Sequence, residues 1–156
     1  MLYKWVDYHK GYKEVVETWL DDEAVKYTGC AEGWDQYFEY WKNEPGTVLN
    51  GNFFSKVVLD GGKAVGVIAV YEEKNIYYIQ EFVVSPDRRC MGTGSSILKE
   101  LLQSGEYIVG KTITRAEACI FPSNISSRKA FEKAGFRYSR THPDGDTCYY
   151  EFRKED

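Results

Sequence analysis

The residue pattern best suited to chemistry is Arg89-Cys90-Met91-Gly92-Thr93-Gly94-Ser95. It follows an apolar, β-rich run ending at Val84-Ser85-Pro86 and precedes Ile97, Leu98, Leu101 and Leu102, which recur at helical spacing. A strand that passes through a glycine loop into a helix gathers backbone N–H groups at the helix start. Those donors lack intrahelical acceptors and carry the positive end of the helix dipole, so they suit an anion. Gly92 and Gly94 let a ligand approach the main chain and permit positive φ. Arg88 and Arg89 add charge that suits phosphate. The local pattern fits a pyrophosphate cradle, and it also fits a tight turn before an ordinary helix. It is neither the Gly-Lys-Ser/Thr phosphate loop nor the three-glycine dinucleotide fingerprint, since both lack their later residues here.

Arg89-Cys90-Met91-Gly92-Thr93-Gly94 after Val84-Ser85-Pro86 resembles the acetyl-coenzyme A motif of the GNAT acetyltransferases, Arg/Gln-x-x-Gly-x-Gly/Ala. Downstream, the run from Asn124 through Phe131 to Glu132-Lys133-Ala134-Gly135-Phe136 resembles that family's second signature, a helix opened by asparagine and closed by Glu-Lys-x-Gly-Phe. Two matches in the expected order cover about the C-terminal half of the chain. The resemblance implies one acetyltransferase domain over residues 1–156, with acetyl-CoA as co-substrate and direct transfer in a ternary complex. It assigns the cofactor to Phe82, Val83 and Val84 on the strand, to Arg89, Cys90, Met91, Gly92, Thr93, Gly94 and Ser95 in the loop, and to Asn124, Ser127 and Phe131 on the later helix. The family's strand bonds the thioester carbonyl through backbone N–H groups and splays from its neighbour to admit the pantetheine arm.

Transfer of an acyl group to an amine requires a held thioester, a polarised carbonyl and a neutral amine. Glu81 is the only carboxylate between Ile76 and Val84. A glutamate in an apolar strand is costly unless paired or wet, which makes it the candidate base or amine anchor. Strict alternation sets Glu81 on the face opposite Tyr78 and Gln80, and a bulge would change that. Glu117 is the second choice, with a surface ion pair as its other reading. Many family members carry a proton-donating tyrosine where this chain has Phe131, so Tyr138, Tyr149 and Tyr150 become the alternative donors, Tyr138 first. Asn124 suits an ordinary helix cap as well as a cofactor contact. Cys90 has no histidine within sequence reach to support a nucleophilic role.

A length of 156 residues makes one domain with room for a core. A net charge of −4 argues against nucleic acid as a partner. No apolar run is long enough to span a bilayer, and the N-terminus lacks a signal sequence, so a cytoplasmic enzyme without membrane partners is expected. Cys30, Cys90, Cys119 and Cys148 are scattered and read as free thiols; with two histidines, no metal site is expected. Either a monomer or a homodimer is compatible with the sequence.

The elements expected in order are an edge strand over 2–7, an amphipathic helix over 9–20, and the acidic patch Asp21-Asp22-Glu23. A helix through Trp34, Tyr37, Phe38 and Trp41 follows, stopped at Pro45-Gly46, with Glu32, Asp35, Glu39 and Glu44 exposed beside it. Strands over 53–59, 64–71 and 76–84 form an antiparallel meander through the Asp60-Gly61-Gly62-Lys63 turn. Then come the cradle, a helix stopped at Gly105, a strand over 112–121, a helix over 124–135, and a hairpin of strands 136–140 and 147–153. This is mixed α/β: a sheet of six to seven strands flanked by about four helices. The N-terminal helices and the last hairpin should bound the acceptor side. Their acids (Asp21, Asp22, Glu23, Glu32, Asp35, Glu39, Asp144, Asp146) favour a small cationic amine, aminoglycoside-like or polyamine-like; a merely solvated face is the alternative. A protein N-terminus or lysine, or an acetyl-CoA sensor without turnover, are the competing functions.

Overall fold

A computed structural model describes residues 1–43 and 52–155. Seven strands form one mixed sheet in the order β1-β2-β3-β4-β5-β7-β6. They are β1 (Lys4–Asp7), β2 (Asn52–Asp60), β3 (Lys63–Glu73), β4 (Ile76–Val84), β5 (Arg115–Ile120), β6 (Arg137–Thr141) and β7 (Cys148–Arg153). β2, β3 and β4 make the expected antiparallel meander, and β1 pairs antiparallel with β2 at its edge. Gly61 and Gly62 both take positive φ in its tight β2–β3 turn. β4 and β5 are parallel, and β7 inserts antiparallel between β5 and β6.

Helices cover both faces. On one lie α4 (Thr93–Gln103), α5 (Gly105–Ile108) and α6 (Ile125–Lys133); on the other lie α1 (Lys13–Glu17), α2 (Asp22–Tyr27) and α3 (Trp34–Asn43). Leu98, Leu101 and Leu102 of α4 join Ile68, Ile79, Ala118 and Phe136 in the larger core. Val16, Trp19 and Trp34 pack with Val57, Val67 and Val83 in the second core, on the opposite face. Among the described residues there are six α-helices where about four were expected, the two added being the short α2 and α5. The 9–20 helix is a 3-10 turn (Lys10–Tyr12) plus the short α1. The acidic patch is a helix start: Asp21 Oδ1 accepts from Ala24 N at 2.9 Å, and Asp22 and Glu23 fill the first turn of α2.

α4 ends at Gln103, just before the expected stop at Gly105, and Gly105 itself begins α5. A Cβ there would stand 2.7 Å from Ile113 Cγ1 and Lys111 O, so the close approach of the following loop requires glycine. Asp35 is buried instead of exposed, and it accepts a hydrogen bond from Tyr8 Oη at 2.9 Å. The expected stop at Pro45-Gly46, with Glu44, lies outside the described residues. Glu100 on α4 accepts from Trp5 Nε1 at 2.7 Å and from the backbone of Tyr3, which ties the helix to β1. The two cores pack the helical layers against opposite faces of the sheet, and β4 pairs with β5 over three residues only.

Candidate active site

The opening arises in β4 itself. Opposite β3, Ala69 pairs with Glu81 and Val70 with Ile79, so Gln80 is an extra residue in the strand. The bulge moves Glu81 onto the α1–α3 side, where its Oε1 accepts from Gly29 N at 2.9 Å, while Tyr37 Oη donates to Gln80 Oε1 at 3.1 Å. Pairing of β4 with β5 runs only from Tyr77 to Ile79. Beyond it the two strands part. The bond from Ser85 N to Val65 O sets the phase of the remaining strand, so alternation turns the N–H groups of Phe82 and Val84 toward the gap. A cleft of about 610 Å³ opens there.

One end of the cleft is cationic. Gly92 takes φ +79°, no side chain caps α4, and a Cβ on Gly92 would meet no atom within 4 Å. The N–H groups of the first turn therefore have no side-chain cap, and the space beside Gly92 is open. Lys129 and Lys133, one turn apart on α6, also line the cleft, and Ala130 beside Lys129 would stand 3.4 Å from a Cβ on Gly94. These features fit a diphosphate. The two arginines serve a different purpose from the one their charge suggested. Arg88 pairs with Asp60 at 2.8 Å. Arg89 spends all three donor groups inside the protein: Nε to Val84 O at 3.0 Å, Nη1 to Asp21 Oδ2 at 2.6 Å and Nη2 to Trp19 O at 2.9 Å. It lines the cleft as a tether between the loop and α2.

The other end is acidic. Of the carboxylates lining the cleft, Glu81 lies within it and Glu23 is exposed. Burial pushes the Glu81 carboxyl up to about 7, against a smaller opposing pull from the Gly29 N–H. That places its titration where a base working near neutrality needs it. Neighbouring Cys30 is buried, and burial, with the Glu81 charge second, pushes its thiol up to about 12. It stays neutral and packs.

Most of the residues assigned to the cofactor from sequence line this cleft: Phe82, Val83 and Val84 of β4; Arg89, Cys90, Gly92, Gly94 and Ser95 of the loop and α4; Asn124, Ser127 and Phe131 of α6. Met91 and Thr93 are not among its lining residues; the Met91 side chain is exposed and that of Thr93 is buried. Asn124 Oδ1 caps α6 through Ser127 N at 3.2 Å. Phe131 is buried edge-on against Phe82 and Phe136.

Tyr138 is not brought to the site. It is an exposed residue of the edge strand β6, bonded to Thr141 at 2.8 Å. Tyr150 is buried and accepts from Arg128. Glu117 is 3.6 Å from Arg140, an ion pair outside the cleft. The last hairpin contributes no lining residue, since Asp144 is taken up by the backbone of Asp146 and Thr147 in its own turn. Sequence reasoning missed Gly29, Tyr27, Phe121, Lys129 and Lys133. Only the lysines left a signal, their i, i+4 spacing behind the Asn124 cap.

A split between parallel strands, an uncapped helix start and a half-buried carboxyl along one cleft suit an acyl-coenzyme A-dependent transferase. The chain belongs to the acetyltransferase (GNAT) family, whose model matches residues 12–136. Acetyl-CoA is the co-substrate of that family. The chain is similar in fold to AAC(6')-Ib in complex with paromomycin and acetyl-CoA, at 15% identity and a TM-score of 0.76, covering 99% of this chain and 94% of that one. It is also similar to a mutant spermidine N-acetyltransferase SpeG from Vibrio cholerae (12% identity, TM-score 0.70, 97% and 94% covered). A third similar structure is the ribosomal-protein-S18-alanine N-acetyltransferase from Escherichia coli (12%, 0.66, 97% and 93%). No curated protein sequence matches. Among the described residues, no helix is long and apolar enough to cross a membrane.

Proposed function

We propose that the protein transfers the acetyl group of acetyl-CoA to a primary amine of a small molecule, directly, in a ternary complex. The observation that carries this reading is the polarity of one cleft. Backbone donors and two lysines occupy one end, a carboxyl pushed up to about 7 occupies the other, and the β4–β5 split lies between them.

Gly92, Gly94 and Ser95 hold the diphosphate through the start of α4, with Lys129 and Lys133 adding charge. The N–H groups of Phe82 and Val84 face the gap and polarise the thioester carbonyl as its oxygen gains charge. Glu81 removes a proton from the incoming ammonium, directly or through one water. The freed nitrogen attacks the carbonyl carbon; the C–N bond forms, the C–S bond breaks with its electron pair leaving on sulfur, and the second proton that the nitrogen sheds passes to water or to the departed thiolate. Phe131 supplies no proton, and a thiolate leaves acceptably without one because its conjugate acid is weak only to about pKa 8.5.

Neighbours that act on an aminoglycoside, on spermidine or on a protein alanine share only the fold at 12–15% identity. Acidity in the cleft favours an amine that arrives charged. Free thiol released from acetyl-CoA, measured against a panel of primary amines, tests the proposal. Amine-dependent release that is lost in Glu81→Gln supports it. Tight acetyl-CoA binding with no release for any amine makes the protein a sensor instead.

A further inference from the structure

The acceptor half of the cleft is distinct from the cofactor half, and its walls describe what it takes. Along β5, Ala118 and Ile120 sit in the core beneath α4 and α6. Cys119 and Phe121 alternate with them and so face the α2 side. There the Phe121 ring meets Tyr27 of α2, centroids 5.8 Å apart, and Tyr27 Oη donates to Ser123 Oγ at 3.1 Å. This aromatic pair spans the cleft from one lip to the other, and both rings line it. Phe121 is 37% exposed, a large apolar surface that faces this opening.

The charges are sparser than the composition suggests. Asp21 is consumed by the α2 cap and Arg89, Asp35 by Tyr8, and Asp144 by its own turn. Among the described residues Glu81 and Glu23 are the carboxylates that line the cleft, Glu81 half-buried and Glu23 exposed. A polyamine or amino sugar brings several ammonium groups, each needing an anion or water, and this half offers one enclosed partner beside two rings.

We propose that the acceptor is a monoamine on an aromatic or comparably bulky apolar body, its amine at Glu81 and its body against Tyr27 and Phe121. This rests on the acetyl-transfer reading above and narrows its substrate class. With saturating acetyl-CoA, initial rates are compared for 2-phenylethylamine, n-butylamine and spermidine. The expected kcat/KM for 2-phenylethylamine exceeds that for spermidine by about tenfold or more. Phe121→Ala should raise KM for 2-phenylethylamine by about tenfold while changing that for n-butylamine less than about threefold. Phe121→Leu, which keeps apolar bulk, should recover part of the loss, and unchanged melting temperatures exclude a folding defect. Turnover that favours spermidine, or equal KM increases for both monoamines, overturns this substrate class and leaves acetyl transfer standing. Acetyl-CoA binding without turnover of any amine overturns the transfer reading and this one with it.

Discussion

Replacing Glu81 by glutamine tests both halves of the role assigned to that side chain. Glutamine keeps an oxygen for the Gly29 N–H, found at 2.9 Å, and removes the ionisation. Burial holds the Glu81 carboxyl at about 7, against an ordinary value of 4.5. That displacement corresponds to about 3 kcal/mol at 1.36 kcal/mol per pH unit, and partial solvent access trims it to about 2. Because the folded value is raised, the associated stability is present in full below pH 4.5 and is lost as the pH rises through 7. The wild-type protein therefore carries a penalty at pH 8.5 that the glutamine variant escapes. Thermal unfolding of the two proteins should nearly coincide at pH 4.5, with the variant melting about 5 °C higher at pH 8.5. Its kcat should fall by about 10²- to 10⁴-fold, and the rise of wild-type kcat/KM with pH, centred near 7, should disappear. An equal melting difference at both pH values would refute the buried ionisation. An unchanged pH–rate profile would refute the base.

Three further outcomes follow from particular contacts. Asn124→Ala removes the α6 cap and should cost about 1 kcal/mol in urea unfolding, whatever it does to catalysis. Arg89→Met cuts the tether between the cradle loop and α2 and should weaken acetyl-CoA binding. Asp21→Asn should reproduce part of that loss, and the double variant should show non-additivity of about 0.5 kcal/mol or more by titration calorimetry. Lys129→Ala with Lys133→Ala should weaken acetyl-CoA binding and flatten its dependence on salt concentration, read from the affinity at several ionic strengths.

The meander, the strand–loop–helix and the Asn124 helix were legible in the sequence because local signals fix them: a Gly-Gly turn, a 3.6-residue period and a polar cap before an apolar run. The same signals pointed to the loop between β4 and α4, which the structure sets along the cleft. What escaped was set by tertiary contacts. A bulge at Gln80 has no local signature, yet it alone decides which face carries Glu81. Arg89 reads as a phosphate ligand by charge and loop position, but its partners Asp21 and Trp19 lie about seventy residues earlier in the chain. Asp35 looked exposed from its acidic neighbourhood, and only the fold supplies Tyr8 to bury it. Tyr138 is a candidate donor by its phenol alone, because Phe131 has none, and the insertion of β7 between β5 and β6 carries it to the sheet edge.

The central claim is that main-chain amides at the start of α4 hold the diphosphate of acetyl-CoA. Gly92 takes a positive φ with open space where its Cβ would point, and asparagine and aspartate both tolerate that backbone better than other side chains. Calorimetric titration of acetyl-CoA into Gly92→Asn and Gly92→Asp separates charge from bulk. A carboxylate about 4 Å from the diphosphate costs up to about 4 kcal/mol at an effective dielectric of 20. The account predicts affinity at least a hundredfold weaker for Gly92→Asp than for Gly92→Asn. Equal affinities in the two variants, both matching the wild-type protein, would contradict it.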